Sequence, residues 1–326
     1  MKKIITILTV LLLLLAVSCN MDSSSGLFED AGKSVKKESY TIKSVLSQID
    51  RTNYIVASNE GIFLLSDGSK ASSAVGTGNI ASYSILATGT KDSWKAYYYS
   101  EKDNKYYSID NSGNTEEFTG IDSGTYKLNG VYFENVNEDK YVVVFKMDSG
   151  KNAIFRGSSS EFLSSPKITA TDYTNVSYIG NGYFLGKKEG QDVCIFKYDE
   201  TSGTISDEKQ STKYRSQIGE YFVTIDDKFL LKDDSQIGSA SGNTYRIAKM
   251  FEKDGVYYFI LNGLKEVYKI NGSDHAFSAE SCTSLTNIEV LAIVDVIDGE
   301  YINVITAESG TKCINLKDNS IDSTWK

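Results

Sequence analysis

Paired aspartates and a single histidine are the side chains of this sequence whose types could support catalysis. Asp226-Asp227 and Asp233-Asp234 flank the segment KFLL, and two carboxylates held about 5–9 Å apart can hydrolyse a glycosidic bond. His275 is the only histidine, so a Ser-His-Asp or Cys-His site would have to use it. Adjacent aspartates, and a histidine after an Asn-Gly turn, are also typical of solvated turns. We therefore assign no catalytic residue.

An aromatic segment is the second candidate site. The stretch SWKAYYYSEKDNKYYSID predicts two paired strands whose alternating side chains make both faces aromatic. Tyrosine offers a large rigid face with a polar tip, which suits the binding of a sugar or a peptide. The alternative is that these side chains form core between neighbouring elements. The candidate ligand-binding residues are Trp94, Tyr97, Tyr98, Tyr99, Tyr106 and Tyr107.

Patterns for metals and cofactors are incomplete. The oxygen-rich turns DNSGN from Asp110 and DETSG from Asp199 lack the spaced acids of a calcium loop. The segment GTGNIA from Gly76 lies between predicted strands, and we expect no helix to follow it. Without a helix N-terminus it has no phosphate site for a dinucleotide. We predict no cofactor and no metal site.

The cysteines other than Cys19 are Cys194, Cys282 and Cys313, an odd number for an exported chain. Cys194 and Cys313 occupy equivalent positions of the repeat described below, so they should lie far apart. Free cysteine behaves as a small buried hydrophobe. A bridge between Cys282 and Cys313 stays open as an alternative.

A repeat of short strands organises the chain after residue 40. Seven segments each end in an Asp, Asn or Gly turn: IFLLSDGS, KYYSIDNSG, AIFRGSSS, CIFKYDETSG, FLLKDDSQ, VYKINGSD and KCINLKDNS. The turns recur every 34 to 47 residues, at Asp67, Asp110, Gly157, Asp199, Asp233, Asn271 and Asp318. This pattern resembles the blades of a β-propeller, in which radial packing buries both faces of each four-stranded sheet.

The fold prediction is therefore all-β: a β-propeller of seven four-stranded blades. The units begin near Tyr40, Ser82, Tyr126, Tyr173, Lys213, Thr244 and Ser284. One stretch also fits a helix, because Ile42, Val45, Leu46 and Ile49 have helical spacing; a helix there would leave six blades. A pair of β-sandwiches is the alternative fold.

Turn chemistry supports a chain made of hairpins. The sequence has one proline, Pro166, and 26 glycines. Seven Asp-Gly or Asn-Gly pairs favour tight hairpin turns. These pairs start at Asp67, Asn129, Asn181, Asp254, Asn262, Asn271 and Asp298.

The amino terminus has the pattern of an export signal. Lys2 and Lys3 precede 14 largely apolar residues, which are too few to span a bilayer. The run ends in AVSC, which resembles the lipobox of bacterial lipoproteins. That resemblance implies cleavage before Cys19 and acylation of this cysteine, and several acyl chains anchor a protein stably. We predict a signal peptide over 1–18, a lipidated cysteine with a flexible tether over 19–39, and the propeller over 40–326.

Charge limits the function. The chain has a net charge of −9, and removal of Lys2 and Lys3 leaves 32 basic against 43 acidic residues, or −11. An acidic surface repels phosphate backbones, so we predict no nucleic-acid partner. We expect an envelope lipoprotein on the inner or outer membrane whose propeller serves as a protein-binding or scaffold module. The alternatives are a carbohydrate- or peptide-acting enzyme using carboxylates and a sensor of glycans or small ligands.

Overall fold

The structure is a ring of seven four-stranded antiparallel sheets, each built from four consecutive strands. It is a computed structural model, and it describes residues 40–326 apart from 136–138, 211–213, 226–227, 232, 241–248, 309 and 323. The predicted seven-bladed β-propeller is confirmed.

The first four blades run from Ile42 to Gln210. Blade 1 contains β1 (Ile42–Gln48), β2 (Asn53–Ser58), β3 (Ile62–Ser66) and β4 (Ser69–Lys70). Blade 2 contains β5 (Ser84–Gly89), β6 (Trp94–Ser100), β7 (Lys105–Asp110) and β8 (Thr115–Glu117). Blade 3 contains β9 (Lys127–Asn135), β10 (Lys140–Lys146), β11 (Asn152–Ser158) and β12 (Thr169–Ala170). Blade 4 contains β13 (Thr174–Gly180), β14 (Tyr183–Lys187), β15 (Val193–Asp199) and β16 (Thr204–Gln210).

The last three blades follow the same order. Blade 5 contains β17 (Tyr214–Ile218), β18 (Tyr221–Thr224), β19 (Lys228–Leu230) and β20 (Gln236–Ser239). Blade 6 contains β21 (Lys249–Lys253), β22 (Val256–Ile260), β23 (Glu266–Asn271) and β24 (Phe277–Ser281). Blade 7 contains β25 (Val290–Ile297), β26 (Tyr301–Thr306), β27 (Gly310–Asn315) and β28 (Ser320–Asp322).

In the described part of the chain, three short helices lie between strands: α1 (Gly78–Ser82), α2 (Ser159–Ser164) and a 3-10 helix (Thr283–Asn287). Helix α1 begins inside GTGNIA, so the expectation that no helix accompanies this segment is wrong. Thr77 caps α1 with its side chain, but a helix of five residues is too short to make a phosphate site. Within the described part of the chain, no helix is both long and apolar enough to cross a membrane.

Blade packing explains why the central strands read as continuous apolar runs. In β10, Tyr141, Val143 and Phe145 pack toward blade 2, whereas Val142 and Val144 pack toward blade 4. Because successive side chains of a strand point to opposite faces, both faces must be apolar when both are covered. Seven such clusters of described residues join each blade to the next, including blade 7 to blade 1.

Within the described residues, the ring closes without an exchange of strands between its ends. The amide of Ile42 donates to the carbonyl of Ala307 at 2.8 Å, and the ring of Trp325 lies edge-on to Tyr54 at 5.6 Å. Packing between the first and last blades therefore closes the ring. The stretch from Ile42 forms the strand β1, which excludes the helical alternative and the six-bladed count.

Four of the predicted hairpin turns have the geometry that their sequence favours. Asp67-Gly68, Asn181-Gly182, Asp254-Gly255 and Asp298-Gly299 have positive φ at both residues, as type I′ turns require. Asn129-Gly130 differs, because it lies inside β9 at a shift in the strand register. The prediction of a turn there is wrong: the pair forms a bulge, another structure that glycine permits.

Candidate functional site

The predicted aromatic residues lie on β6 and β7 and mostly inside the blade packing. Tyr98 stacks on Tyr107 with ring centroids 5.7 Å apart, and Tyr99 lies 5.0 Å from Tyr106. The hydroxyl of Tyr106 donates to the carbonyl of Tyr126 at 2.8 Å. The buried members are Trp94, Tyr98, Tyr99 and Tyr106; Tyr97 and Tyr107 are half-buried. Burial of this kind favours the core alternative, and a binding role for these side chains stays a prediction.

The polar candidates fall in separate places. Asp233 and Asp234 are exposed in a turn, while Asp226 and Asp227 lie outside the described residues. His275 is half-buried in a turn with φ of 59°, and its Nδ1 lies 2.8 Å from the hydroxyl of Tyr221.

The remaining predicted residues have simple outcomes. Cys19 lies outside the described residues, so its lipidation stays a prediction. Cys194, Cys282 and Cys313 are buried free thiols, and no disulfide joins them. Burial raises the pKa of Cys282 and of Cys313. Asp110 and Asp199 accept hydrogen bonds from amides of their own turns.

A cavity of about 390 Å³ lies where the first strands of the blades converge. Six of these strands contribute side chains to its walls: β1, β9, β13, β17, β21 and β25. Strands from six blades can meet at one cavity only near the axis of the ring. We call this space the axial cavity; its volume is in the range of small-ligand sites.

An ionic network borders the axial cavity at blade 3. The guanidinium of Arg156 donates through Nε and Nη2 to the two oxygens of Glu134, at 2.7 and 2.9 Å. Arg156 Nη1 also lies 3.1 Å from Glu200, and Lys140 donates to Glu200 at 2.7 Å. The Arg156 and Glu134 side chains are only 12% and 11% exposed. The two acids therefore compensate the two bases in a largely desolvated place.

Among the described residues, two at the cavity wall carry buried polar atoms that form no hydrogen bond of standard geometry. The hydroxyl of Tyr178 and Oε1 of Gln217 are buried and unpaired, and both residues line the cavity. Gln217 Nε2 donates to the carbonyl of Gly219 at 3.1 Å, which leaves Oε1 as the free acceptor. Burial and the nearby Glu134 carboxylate raise the pKa of Tyr178 well above its usual value, so the phenol stays protonated. An unpaired buried polar atom is costly.

The cavity walls also carry apolar side chains. Its half-buried members come from β9, β21 and β25 and are Val131, Phe133, Met250, Phe251 and Leu291. Their partial exposure leaves apolar surface that a bound ligand would remove from water, at about 25 cal/mol per Å².

The Tyr178→Phe substitution is expected to leave the free energy of unfolding unchanged or to raise it slightly. The Tyr178 hydroxyl forms no hydrogen bond of standard geometry within the described residues, so its removal loses little and spares the cost of burying it. The matched control is Tyr141→Phe, because the buried Tyr141 hydroxyl donates to the Leu46 carbonyl at 2.6 Å. That control should lose about 1–3 kcal/mol. Urea unfolding measures both, and equal losses would mean that Tyr178 is hydrogen-bonded.

Sequence reasoning did not find the axial cavity. Its lining residues are separated by whole blades along the chain, and strands such as KLNGVYFEN and VLAIVDVI read as ordinary core strands. One signal was available. Arg156 and Glu134 each follow directly on an apolar run of their strand, AIF and VYF, where a charge is tolerated when it is paired.

The chain is distantly similar to known solved structures. No model of a known protein family matches the chain, and no curated protein matches it. Among solved structures, YCF48 from Cyanidioschyzon merolae aligns with a TM-score of 0.48 and 11% identity over 88% of this chain and 98% of that one. The β-propeller domain of the Trilobed protease from Pyrococcus furiosus aligns with a TM-score of 0.45 and 10% identity over 87% and 97%.

A third similar structure is a puromycin-hydrolysing peptidase from Mycobacterium tuberculosis. It aligns with a TM-score of 0.46 and 9% identity over 86% of this chain. This chain spans about half of that protein, 53% of its length. At these identities the likenesses concern the β-propeller fold and carry nothing about activity.

Proposed function

We propose that this chain is a membrane-anchored recognition protein whose propeller binds a partner protein in the axial cavity. The observation that carries the proposal is the cavity itself, a concave site of about 390 Å³ with apolar, charged and unpaired polar groups in its walls. Concave sites that combine apolar lining with a few convergent polar groups are where proteins bind ligands. The six strands around it hold these groups on rigid elements, as a recognition site requires.

The anchoring half of the proposal rests on the sequence. The AVSC segment ending at Cys19 resembles a lipobox, and the 20 residues after it are rich in Ser, Asp, Gly and Lys. A tether of this composition behaves as a flexible chain. It would hold the propeller close to the membrane and raise its effective concentration toward envelope partners.

Replacement of Cys19 by alanine is expected to release the protein from the membrane fraction. The variant has no thiol to acylate, and it loses the several acyl chains that make anchoring stable. Fractionation of cells and labelling with radioactive palmitate measure the change. Cys282→Ala is the matched control, because Cys282 is buried in the propeller, and it should keep both the label and the location. An unlabelled wild-type protein would contradict the lipoprotein assignment.

Crosslinking in intact cells tests whether the propeller binds a partner protein of the envelope. A specific envelope protein captured by the wild type and reduced with Cys19→Ala would support a tethered binding module. The captured protein should also be lost when the axial cavity is altered, for example by Met250→Gln. Absence of any captured protein in both forms would contradict the proposal.

A further inference from the structure

We infer that the ligand of the axial cavity is an extended peptide segment with a carboxylate, which binds with that carboxylate at Lys43 and its side chains on the apolar wall. The inference rests on the function proposed above and adds the chemistry of the ligand. Three features of the cavity carry it: a basic group that pairs with no acid among the described residues, half-buried apolar side chains, and two wall oxygens that form no hydrogen bond within that part of the chain.

The charge of the cavity differs from that of the chain as a whole. The chain carries −9, whereas the charged groups at the cavity are four bases, Lys43, Lys140, Arg156 and Lys249, and three acids: Glu134 and Glu252 in the lining, and Glu200, which pairs with Lys140 and Arg156. Such a local excess of positive charge favours an anionic ligand.

Lys43 is the basic group best placed to bind an anion. Its ammonium donates to the hydroxyl of Ser82 at 2.7 Å and to the carbonyl of Gly78 at 3.5 Å. Both partners are neutral, and an ammonium has three donors. In contrast, Arg156 and Lys140 already pair with acidic residues of blades 3 and 4. Lys43 therefore keeps both a net charge and a donor for a carboxylate.

The apolar wall distinguishes a peptide from an acidic sugar. Met250, Phe251 and Leu291 are half-buried at the cavity, together with Val131 and Phe133. An acidic sugar would bring hydroxyl groups against these side chains and leave the hydroxyls without partners, which costs free energy. A peptide can instead place aliphatic or aromatic side chains there, and the burial of that surface stabilises the complex.

The wall of blades 4 and 5 supplies hydrogen bonds for a peptide backbone. Oε1 of Gln217 can only accept, and the Tyr178 hydroxyl can both accept and donate. Backbone N–H groups are the donors that an extended peptide presents at regular spacing. Both oxygens are inaccessible to solvent, so a local rearrangement of the wall must accompany binding.

The test uses the purified full-length protein and a library of acetylated pentapeptides, made once with free carboxyl ends and once amidated. Calorimetry on the enriched peptides gives affinities. We expect enrichment of peptides with a carboxylate, and an Asp-to-Asn exchange in each peptide shows whether the end or a side chain supplies it. Lys43→Gln should weaken binding about fivefold. Lys102→Gln, the same charge change in an exposed turn, should not weaken it.

A second pair of variants tests the apolar wall. Met250→Gln should weaken the binding of the same peptides about tenfold, since it places an amide against the ligand's apolar side chains. Met147→Gln changes a half-buried methionine of the blade 2–blade 3 packing and should leave the affinity unchanged. Thermal unfolding of each variant excludes misfolding as the cause of a loss.

Three results would overturn the inference. One is equal affinity for free and amidated peptides lacking acidic side chains. Another is an equal effect of Lys43→Gln and Lys102→Gln, which would mean unspecific attraction. The third is binding of a galacturonate oligomer with no binding of any peptide. If no peptide binds while crosslinking in cells still captures a partner, the ligand class is wrong and the recognition function stands; if both fail, the proposed function fails.

Discussion

Raising the pH above 10 is expected to unfold the propeller in one steep transition, together with ionisation of its buried tyrosines. Burial raises the pKa of Tyr54, Tyr106, Tyr141 and Tyr178 far above the usual value of 10. Burial likewise raises the pKa of Tyr221 to about 12. These phenols ionise readily only after the chain unfolds.

The sign of the effect follows from proton binding. Above pH 10 the unfolded chain has lost these phenolic protons while the folded chain keeps them, so unfolding releases protons and becomes easier as the pH rises. The stability that the buried, protonated phenols contribute is fully present below pH 10. It is lost as the pH rises toward the pKa values of these tyrosines in the folded protein. Each such tyrosine lowers the free energy of unfolding by about 1.4 kcal/mol per pH unit. Tyr54, Tyr106, Tyr141 and Tyr178 together therefore lower the free energy of unfolding by about 5–6 kcal/mol per pH unit.

Tyrosinate absorbance and far-ultraviolet circular dichroism, followed against pH, measure the transition. Both signals should change together for the buried class of tyrosines. The control is Tyr178→Phe, which removes one of these phenols and should move the midpoint to higher pH without loss of stability at neutral pH. Ionisation of all tyrosines near pH 10 in an intact fold would contradict the burial of these hydroxyls.

Arg156→Ala is expected to lower the free energy of unfolding by about 3–5 kcal/mol. The substitution removes two hydrogen bonds to Glu134 and the ion pair with Glu200. It leaves the Glu134 carboxylate, 11% exposed, without a compensating charge. Removal of one partner of a buried pair is costly because the other charge stays desolvated.

The matched control is Arg51→Ala. Arg51 also forms an ion pair, at 3.0 Å to Asp295, but its side chain is 60% exposed. An exposed pair contributes about 0–1 kcal/mol. Arg156→Lys should fall between the two, because lysine keeps the charge and loses the two-pronged geometry. Equal losses for the two alanine variants in urea unfolding would contradict a buried network at the cavity.

The fold follows from sequence patterns that act locally. Each blade is four consecutive strands, so the turn residues and the apolar runs specify it within about 40–45 residues. The Asp254-Gly255 and Asp298-Gly299 turns illustrate this, since both adopt the positive φ that their sequences favour. Asn129-Gly130 was misread because a glycine pair permits both a turn and a bulge. Pairing of β9 with β10 on both sides of the bulge decides between them.

The axial cavity depends on contacts that no local pattern specifies. Gln217 and Tyr178 lie on neighbouring blades, and Lys43 lies on a third. Two features set which of the alternating side chains face the axis. One is the closing of the ring, and the other is the bulges in the first strands, such as the two in β1. The aromatic residues of blade 2 stood out in the sequence instead, because Tyr97, Tyr98 and Tyr99 are adjacent. Their prominence reflects the large surface that two neighbouring blades bury.

Photocrosslinking from inside the cavity is the most direct test of the central claim, that a partner binds at the axis of the propeller. A photoreactive amino acid would replace Met250 at the cavity wall and, separately, Met147 in the packing between blades 2 and 3. In intact cells the account predicts a crosslinked partner from position 250 whose yield falls with Lys43→Gln, and none from position 147. A partner crosslinked only from the outer strand of a blade, for example from Glu116, with none from position 250, would contradict it.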